Sequence, residues 1–321
     1  MNSLKKLVTT IQNSRRIVIA THFNPDLDGI CAALVCASLV RHYKKRNPIL
    51  FCQSALPSRY RFLLHGNKFV KKLPDFDLLI IVDSAKILRV FQNISERQLV
   101  KLRSKIIINV DHHRSNDSFG RLQIINGRAS SSCEIIYLIF RKLGIKINRQ
   151  LADVFYCGIY GDTGGFIYPN TTKEALKIAS ELVELGVKPS PLVKKINVKT
   201  LVGTLLLSEV LNTIEIENGV GIMYLTQDML KKTHAKMSDS ENFISFCQAI
   251  NGVRVSLFLR EEKDATRVSL RSDGIVDVDE LASRYGGGGH RRAAGIRMRK
   301  NITIVKKEIL GAVHNELKKK A

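Results

Sequence analysis

Between residues 15 and 126, five short runs dominated by Ile and Val (RRIVIATH, PILFC, DLLIIVDS, KIIINVDHH and RLQIIN) alternate with helix-patterned stretches at 29–45, 58–65 and 86–102. Runs that are apolar throughout, instead of at every second position, suit strands buried on both faces. Their alternation with helices predicts a parallel sheet with helices on both sides. Further helices are expected at 131–144, 149–160 and 173–187, and the helical pattern resumes from 190 to about 212 as a connecting helix. Beyond it, GIMYL, VRVSLFLRE and TRVSLRS read as strands, the last two pairing as a hairpin. They are followed by the helix-like VDELASRY, four glycines, the strand-like AAGIRM and an amphipathic helix over 303–320 that packs on this second domain. The length of 321 residues suits two domains. The expected fold is α/β: an N-terminal parallel-sheet domain over 1–188, a helical linker over 189–212, and a smaller mixed α/β domain over 213–321.

Acids and histidines gather where the first-domain strands end. THFNPDLDG carries His22, Asp26 and Asp28; IIVDSAK carries Asp83; NVDHHRSND carries Asp111, His112 and His113; GIYGDTGGF carries Asp162. In open parallel sheets ligands bind outside the carboxyl ends of the strands, so these positions agree with one shared site. Each cluster also has a plain structural reading. Asp28 would serve as a helix N-cap after the turn signal NPD. Asp83 would cap the next helix, and Asp162 would accept a hydrogen bond in a glycine turn. DHH is harder to explain so, because one acid and two histidines after a buried strand need specific partners. Four such coincidences at element ends favour a metal site, and carboxylates with a minority of imidazoles suit Mn²⁺ or Mg²⁺ ahead of zinc.

Six cysteines show no CxxC pair and lie mostly in apolar segments, so reduced thiols without a structural metal are expected. The 51 basic against 29 acidic residues give a formal charge of +22, which attracts polyanions but equally describes a solvated basic surface. No window resembles a membrane span and the N-terminus does not resemble a signal peptide, so a soluble cytoplasmic protein is expected, with no membrane partner.

The ordered set HFNPDLD, VD, DHH, GDTGGF and RYGGGGHRRAAG, over roughly residues 15–300, resembles the DHH phosphoesterase superfamily with its DHH-associated C-terminal domain, in particular the small oligoribonuclease and adenosine-bisphosphate phosphatase branch (NrnA-like). The resemblance implies two divalent ions, Mn²⁺ first with Mg²⁺ or Co²⁺ as alternatives. One would be held by His22, Asp26 and Asp83 and the other by Asp28, Asp83, His112 and Asp162, with Asp83 bridging. Ions roughly 3.5 to 4 Å apart share a hydroxide and clamp phosphoryl oxygens during in-line attack. It further implies that His113 contacts the scissile phosphate and that Asp111 orients a histidine from behind. In the second domain it assigns the substrate's phosphate and nucleoside to Gly287, Gly288, Gly289 and His290, the glycine amides donating to phosphate oxygens, and places Arg271 on a phosphate. Ser131 or Ser132 of RASSSCE would contact phosphate, or equally cap the following helix. Leu27 departs from the family, which commonly has glycine between the two acids; a loop is expected here, sending Asp26 and Asp28 toward different ions while Gly29 gives the chain room to turn into its helix.

The implied activity is metal-dependent hydrolysis of short single-stranded RNA or linear dinucleotides such as pApA to mononucleotides, with removal of the 3′-phosphate of adenosine bisphosphate. A cleft between a metal domain and a phosphate-reading domain would restrict the length of substrate. Cyclic dinucleotides are the alternative substrates, and a silent nucleotide or RNA sensor is the alternative of another class, which loss of a metal ligand would favour. A homodimer is left open. Longer single-strand DNA exonucleases carry an extra barrel for which this chain has no room, and the superfamily's pyrophosphatases lack the GGGGH loop.

Overall fold

The computed structural model describes residues 2–91 and 94–320, and the chain divides into two compact units, Met1–Val198 and Lys199–Ala321. In the first, α1 (Asn2–Asn13), β1 (Ile17–Ala20), α2 (Leu27–Lys44), β2 (Ile49–Phe51), β3 (Phe69–Val70), β4 (Leu78–Val82), α3 (Glu96–Arg103), β5 (Ile106–Asp111) and β6 (Leu122–Ile125) precede four helices: α4 (Ser132–Leu143), α5 (Arg149–Asp162), α6 (Lys173–Glu184) and α7 (Pro189–Ile196). The sheet order is β3-β2-β1-β4-β5-β6 and every pairing is parallel, as the apolar runs require. The chain leaves β1 toward β2 on one side and returns to β4 on the other. The carboxyl ends of β1 and β4 therefore flank the crevice where strand order reverses, which is where such sheets bind ligands.

Alternate residues of the strands serve two cores. Ile19, Ile80, Val82, Ile108 and Val110 face a core shared with α2, α4 and α5, whereas Val18, Ala20, Leu79, Ile81 and Ile107 face Ile87, Val90, Phe91 and Leu102. The helix expected over 86–102 is not continuous. A 3-10 turn at Ile87–Arg89 comes first, and α3 starts afresh where Ser95 and Gln98 form a reciprocal capping box. The stretch 58–65 likewise gives only a 3-10 helix, Ser58–Leu63.

The helical 190–212 stretch is also two helices. It breaks before α8 (Leu201–Leu211), where Thr200 Oγ1 accepts the Gly203 N–H at 3.0 Å. Leu206, Leu207 and Val210 of α8 pack in the second unit. That unit continues through β7 (Glu215–Glu217), β8 (Val220–Leu225), α9 (Gln227–Thr233), α10 (Ile244–Gln248), β9 (Val255–Glu262), β10 (Ala265–Ser272), α11 (Val278–Ser283), β11 (Gly288–His290), β12 (Ala293–Met298) and α12 (Ile302–Lys318). Its sheet runs β11-β12-β10-β9-β8-β7, antiparallel except for β8 with β9, and β9–β10 is the expected hairpin. Leu257, Leu259, Val268, Leu270 and Ile296 bury one face under α11 and α12, so the C-terminal helix does pack on this unit. On the other face α8 and α10 cover Met223, Leu225 and Phe258.

α2 is buried almost all round, and its small residues allow close approach by α5. Two glycines of α5 complete that approach. A Cβ on Gly158 would lie 2.2 Å from Cys133 Sγ, and one on Gly161 would lie 2.9 Å from Leu27 Cβ. Each glycine weakens the helix by about 1 kcal/mol relative to alanine, yet lets its last turn carry Asp162 to the sheet. Gly158→Ala should therefore destabilise the protein by about 1–3 kcal/mol through overpacking, against its gain in helix propensity. Urea unfolding with no loss of midpoint would contradict this.

Candidate active site and metal centre

The ends of β1, β4 and β5, the start of α2 and the last turn of α5 bring His22, Asp26, Asp28, Asp83, Asp111, His112, His113 and Asp162 together. Three groups have ligand atoms within 4.8 Å of one another: His22, Asp26 and Asp83; Asp28, His112 and Asp162; Asp83, His112 and His113. Asp83 joins the histidines through different oxygens. Its Oδ2 lies 3.7 Å from His22 Nε2 and its Oδ1 lies 3.5 Å from His112 Nε2. His112 Nε2 is also 3.2 Å from Asp162 Oδ2.

The histidines are aimed from behind. His22 Nδ1 lies 2.9 Å from the Phe23 carbonyl and His112 Nδ1 lies 3.4 Å from that of Ala129, so each ring donates there and turns Nε2 toward the carboxylates. His113 differs: its Nδ1 is 2.7 Å from Asp111 Oδ1, and Asn116 Nδ2 donates to Asp111 Oδ2 at 2.5 Å. Asp111 thus holds the ring of His113.

Asp26, not Asp28, is the N-cap of α2, accepting the Gly29 N–H at 3.0 Å. Leu27 opens the helix and Asp28 lies in its first turn, so the expected loop at these residues is already helix. Asp28 meets the start of α4, where its oxygens accept the N–H groups of Ser132 at 2.7 Å and Cys133 at 3.1 Å. Gly29 is not needed for turning. A Cβ there would lie 2.5 Å from Thr21 Oγ1 and 3.1 Å from Asp83 Oδ2. Asp83 itself has a left-handed backbone, φ +54°, which costs an ordinary residue roughly 1–2 kcal/mol and which Asp and Asn tolerate best.

The three serines of RASSSCE divide their work. Ser130 donates through N–H and hydroxyl to Glu134 Oε2, Ser131 caps α4 by accepting the Glu134 N–H, and the Ser132 hydroxyl donates to Asp83 Oδ1 at 3.0 Å. Both serines expected at a phosphate are engaged within the chain. Sequence reasoning overlooked Asn109, Asn116 and Asn170. Asn109 Nδ2 donates to the Ile81 and Ser84 carbonyls, Asn116 joins Asn109 to Asp111, and Asn170 Nδ2 donates to the Asp162 and Ser130 carbonyls. An asparagine inside the apolar run IIINV was the available signal.

In the second unit, Arg271 is half-buried on β10, its Nη1 donating to its neighbour's carbonyl, Leu270 O, at 2.9 Å. The glycine run is only partly a loop, since Gly288–His290 form β11 against β12. The Gly287 N–H goes to Ala282 O and that of Gly289 to Asp279 Oδ1 at 2.6 Å, which leaves these two amides engaged where donation to phosphate was expected. The side chain of His290 lies outside the described residues.

The buried acids repel one another. Burial and the charges of Asp83 and Asp162 hold the Asp28 carboxyl well above its usual range. Burial, with Asp26, Asp83 and Asp111, pushes Asp162 up to about 7 against the pull of His112. Burial opposes charge on His112, but Asp162, Asp83 and Asp28 raise it well above the usual histidine value. Asp162 Oδ2 is buried without a hydrogen-bond partner among the described residues. Oxygen and imidazole donors, anchored ring nitrogens and an unsatisfied inward carboxylate oxygen fit divalent cations, which would take the place of shared protons.

Residues 16–159 match the DHH family N-terminal domain and residues 218–319 match the DHHA1 domain. The chain belongs to the DHH superfamily of metal-dependent phosphoesterases, in its NrnA-like branch. It is 31% identical over 94% of its length to a bifunctional oligoribonuclease and PAP phosphatase NrnA of Thermus thermophilus, 90% of which is covered. It is 30% identical over 90% of its length to the Bacillus subtilis protein of that name, of which 91% is covered. The crystal structure of an exopolyphosphatase-related protein from Bacteroides fragilis shares the fold, with a TM-score of 0.85 at 23% identity over 99% of this chain and 96% of the other. Among the described residues no helix is long and apolar enough to cross a membrane.

The raised acids set a pH dependence. A carboxyl whose folded value lies above its unfolded value of about 4 costs the metal-free fold stability as pH rises through that interval. A histidine raised above 6.5 loses its stabilising contribution as pH passes its folded value. Both make the metal-free site less stable at pH 8 than at pH 6, whereas a cation binds the deprotonated groups. The rise in melting temperature on adding Mn²⁺ should therefore be larger at pH 8, and calorimetry should record proton release near pH 6.5. Equal rises at both pH values would refute this account of the site.

Proposed function

We propose that this chain hydrolyses short oligoribonucleotides, including linear dinucleotides, to mononucleotides and removes the 3′-phosphate of adenosine 3′,5′-bisphosphate. The observation that carries the reading is Asp83, whose two oxygens face His22 and His112 between two further sets of ligands. The names of the Thermus and Bacillus relatives support the substrate class. No expected ligand is missing, which favours an enzyme over a silent sensor.

On this reading His22, Asp26 and Asp83 hold one divalent ion, and Asp28, Asp83, His112 and Asp162 the other, with Mn²⁺ ahead of Mg²⁺ or Co²⁺. Bound there, the pair would supply an acidified water and positive charge for the phosphoryl oxygens. The chain's own part is to fix geometry and move a proton. Ser132 holds Asp83 through its hydroxyl and Asp28 through its N–H, so one residue sets two carboxylates relative to each other. On this reading His113, held at Nδ1 by Asp111, meets the scissile phosphate through Nε2 and serves as hydrogen-bond donor or acid toward the leaving oxygen. Arg271, Gly287, Gly288, Gly289 and His290 take the rest of the substrate. Because the amides of Gly287 and Gly289 are engaged, the glycines act chiefly by having no side chains.

Incubation with Mn²⁺ and a 5′-labelled RNA trimer should release mononucleotides, with adenosine bisphosphate turned over more slowly and cyclic di-AMP least. Asp83→Asn keeps a residue suited to the left-handed backbone and should lower kcat at least about 10³-fold, the scale of losing a charge placed for the transition state, with little change in folding. Mononucleotide release by a folded Asp83→Asn protein at near wild-type rate would rule out the bridging role.

A further inference from the structure

The face of the second sheet opposite α11 and α12 carries a charge arrangement that the expected phosphate site does not use. Strand register places Arg260 of β9 opposite Arg267 of β10, and Arg267 opposite Arg297 of β12. Like charges directly opposite one another are destabilising in a sheet. Only part of the charge is offset. Arg297 pairs with Glu262 at 2.6 Å, Glu241 acts on Arg260, and Arg267, half-buried, has no ion pair or hydrogen bond among the described residues. Arg260 lies over the Phe258 ring and donates to Ser269 Oγ at 2.6 Å, while its buried Nε has no hydrogen-bond partner among the described residues. Burial, with Arg267 and Arg271, pushes the Arg260 guanidinium down to about 9, a direction that a bound anion would reverse.

Beside this row lies a strip of small residues. Ser269 is opposite Gly295, and Gly295 is opposite Gly288. Packing does not demand glycine at either position, since a Cβ on Gly295 would meet only Val268 O at 3.7 Å and one on Gly288 only Asp279 Oδ1 at 3.5 Å. By contrast, a Cβ on Gly289 would lie 2.3 Å from Ala293 O. Besides bulges and bends, strand glycines mark places where a ligand or another backbone approaches closely. Arg271 bounds the strip on the far side, four residues and about 13 Å along β10 from Arg267.

We infer that Arg260 and Arg267 form a second phosphate site, which takes the phosphodiester beyond the one met by Arg271 while the intervening nucleotide lies over Gly295. The inference rests on the reading of the chain as a nucleotide hydrolase and adds to it a preference for substrates with at least three phosphates. Adenosine bisphosphate, with one phosphate for hydrolysis and one for Arg271, has none left for this row.

The test compares a 5′-phosphorylated RNA trimer with adenosine bisphosphate, by kcat/KM on the Mn²⁺-loaded protein and by equilibrium binding of the labelled trimer in EDTA. Arg267→Ser should lower kcat/KM for the trimer at least tenfold more than for the bisphosphate. It should also flatten the dependence of log affinity on log salt by about 0.7, the value of one lost phosphate contact on a single strand, and Arg267→Lys should recover part of both. Gly295→Val should weaken trimer binding without lowering the melting temperature. Unchanged trimer affinity and salt slope in Arg267→Ser, or equal losses on both substrates, would overturn the second site while leaving the hydrolase reading in place. A wild-type protein that binds the trimer without cleaving it would strike the hydrolase reading alone.

Discussion

A carboxylate shared between two histidines at the end of a central strand is the constraint around which the first unit is built. Asp83 is buried among His22, Asp26, His112 and His113, and although burial and Asp26 oppose its charge, His112 and His113 hold its carboxyl below the usual carboxylate range. The serine that donates to Asp83 and the glycine that makes room for it hold this acid on a left-handed backbone. Such local cost at a binding centre is expected where a ligand compensates it.

The sheet and its crevice were legible because strands buried on both faces leave an unbroken apolar signature, and because chemistry gathers at their carboxyl ends. All the proposed ligands of the first unit do converge. Legibility ended where hydrogen bonds between distant segments decide the outcome. Nothing local says that Ser132 faces Asp83 across 49 positions, or that Asp28 is met by another helix while Asp26 does the capping. The interruption of the 86–102 stretch was readable in principle, as SERQ is a capping box, but an amphipathic pattern overrode it. The glycine run misled in a different way. Its composition suggested an open loop, while pairing with β12 made half of it strand.

The two units use glycine for opposite ends. In α5, Gly158 and Gly161 let protein meet protein, and a side chain there would collide with Cys133 or with Leu27. Leu27 is accommodated because Gly161 yields the space. On the second sheet, a Cβ on Gly295 or Gly288 would make only ordinary contacts beside the arginine row, so packing does not require either glycine.

The approach of α5 to α2 also bears on how this centre can change over time. The residues that carry its charge are replaceable in kind, one oxygen donor for another, at some loss of affinity. Gly29, Gly158 and Gly161 carry no charge, yet a side chain at any of them costs stability, because it would enter space already taken by another residue. A drifting descendant could alter its ligands and still fold. An added carbon at any of those three positions would have to displace a neighbour, Thr21 Oγ1 at Gly29, Cys133 at Gly158 or Leu27 at Gly161.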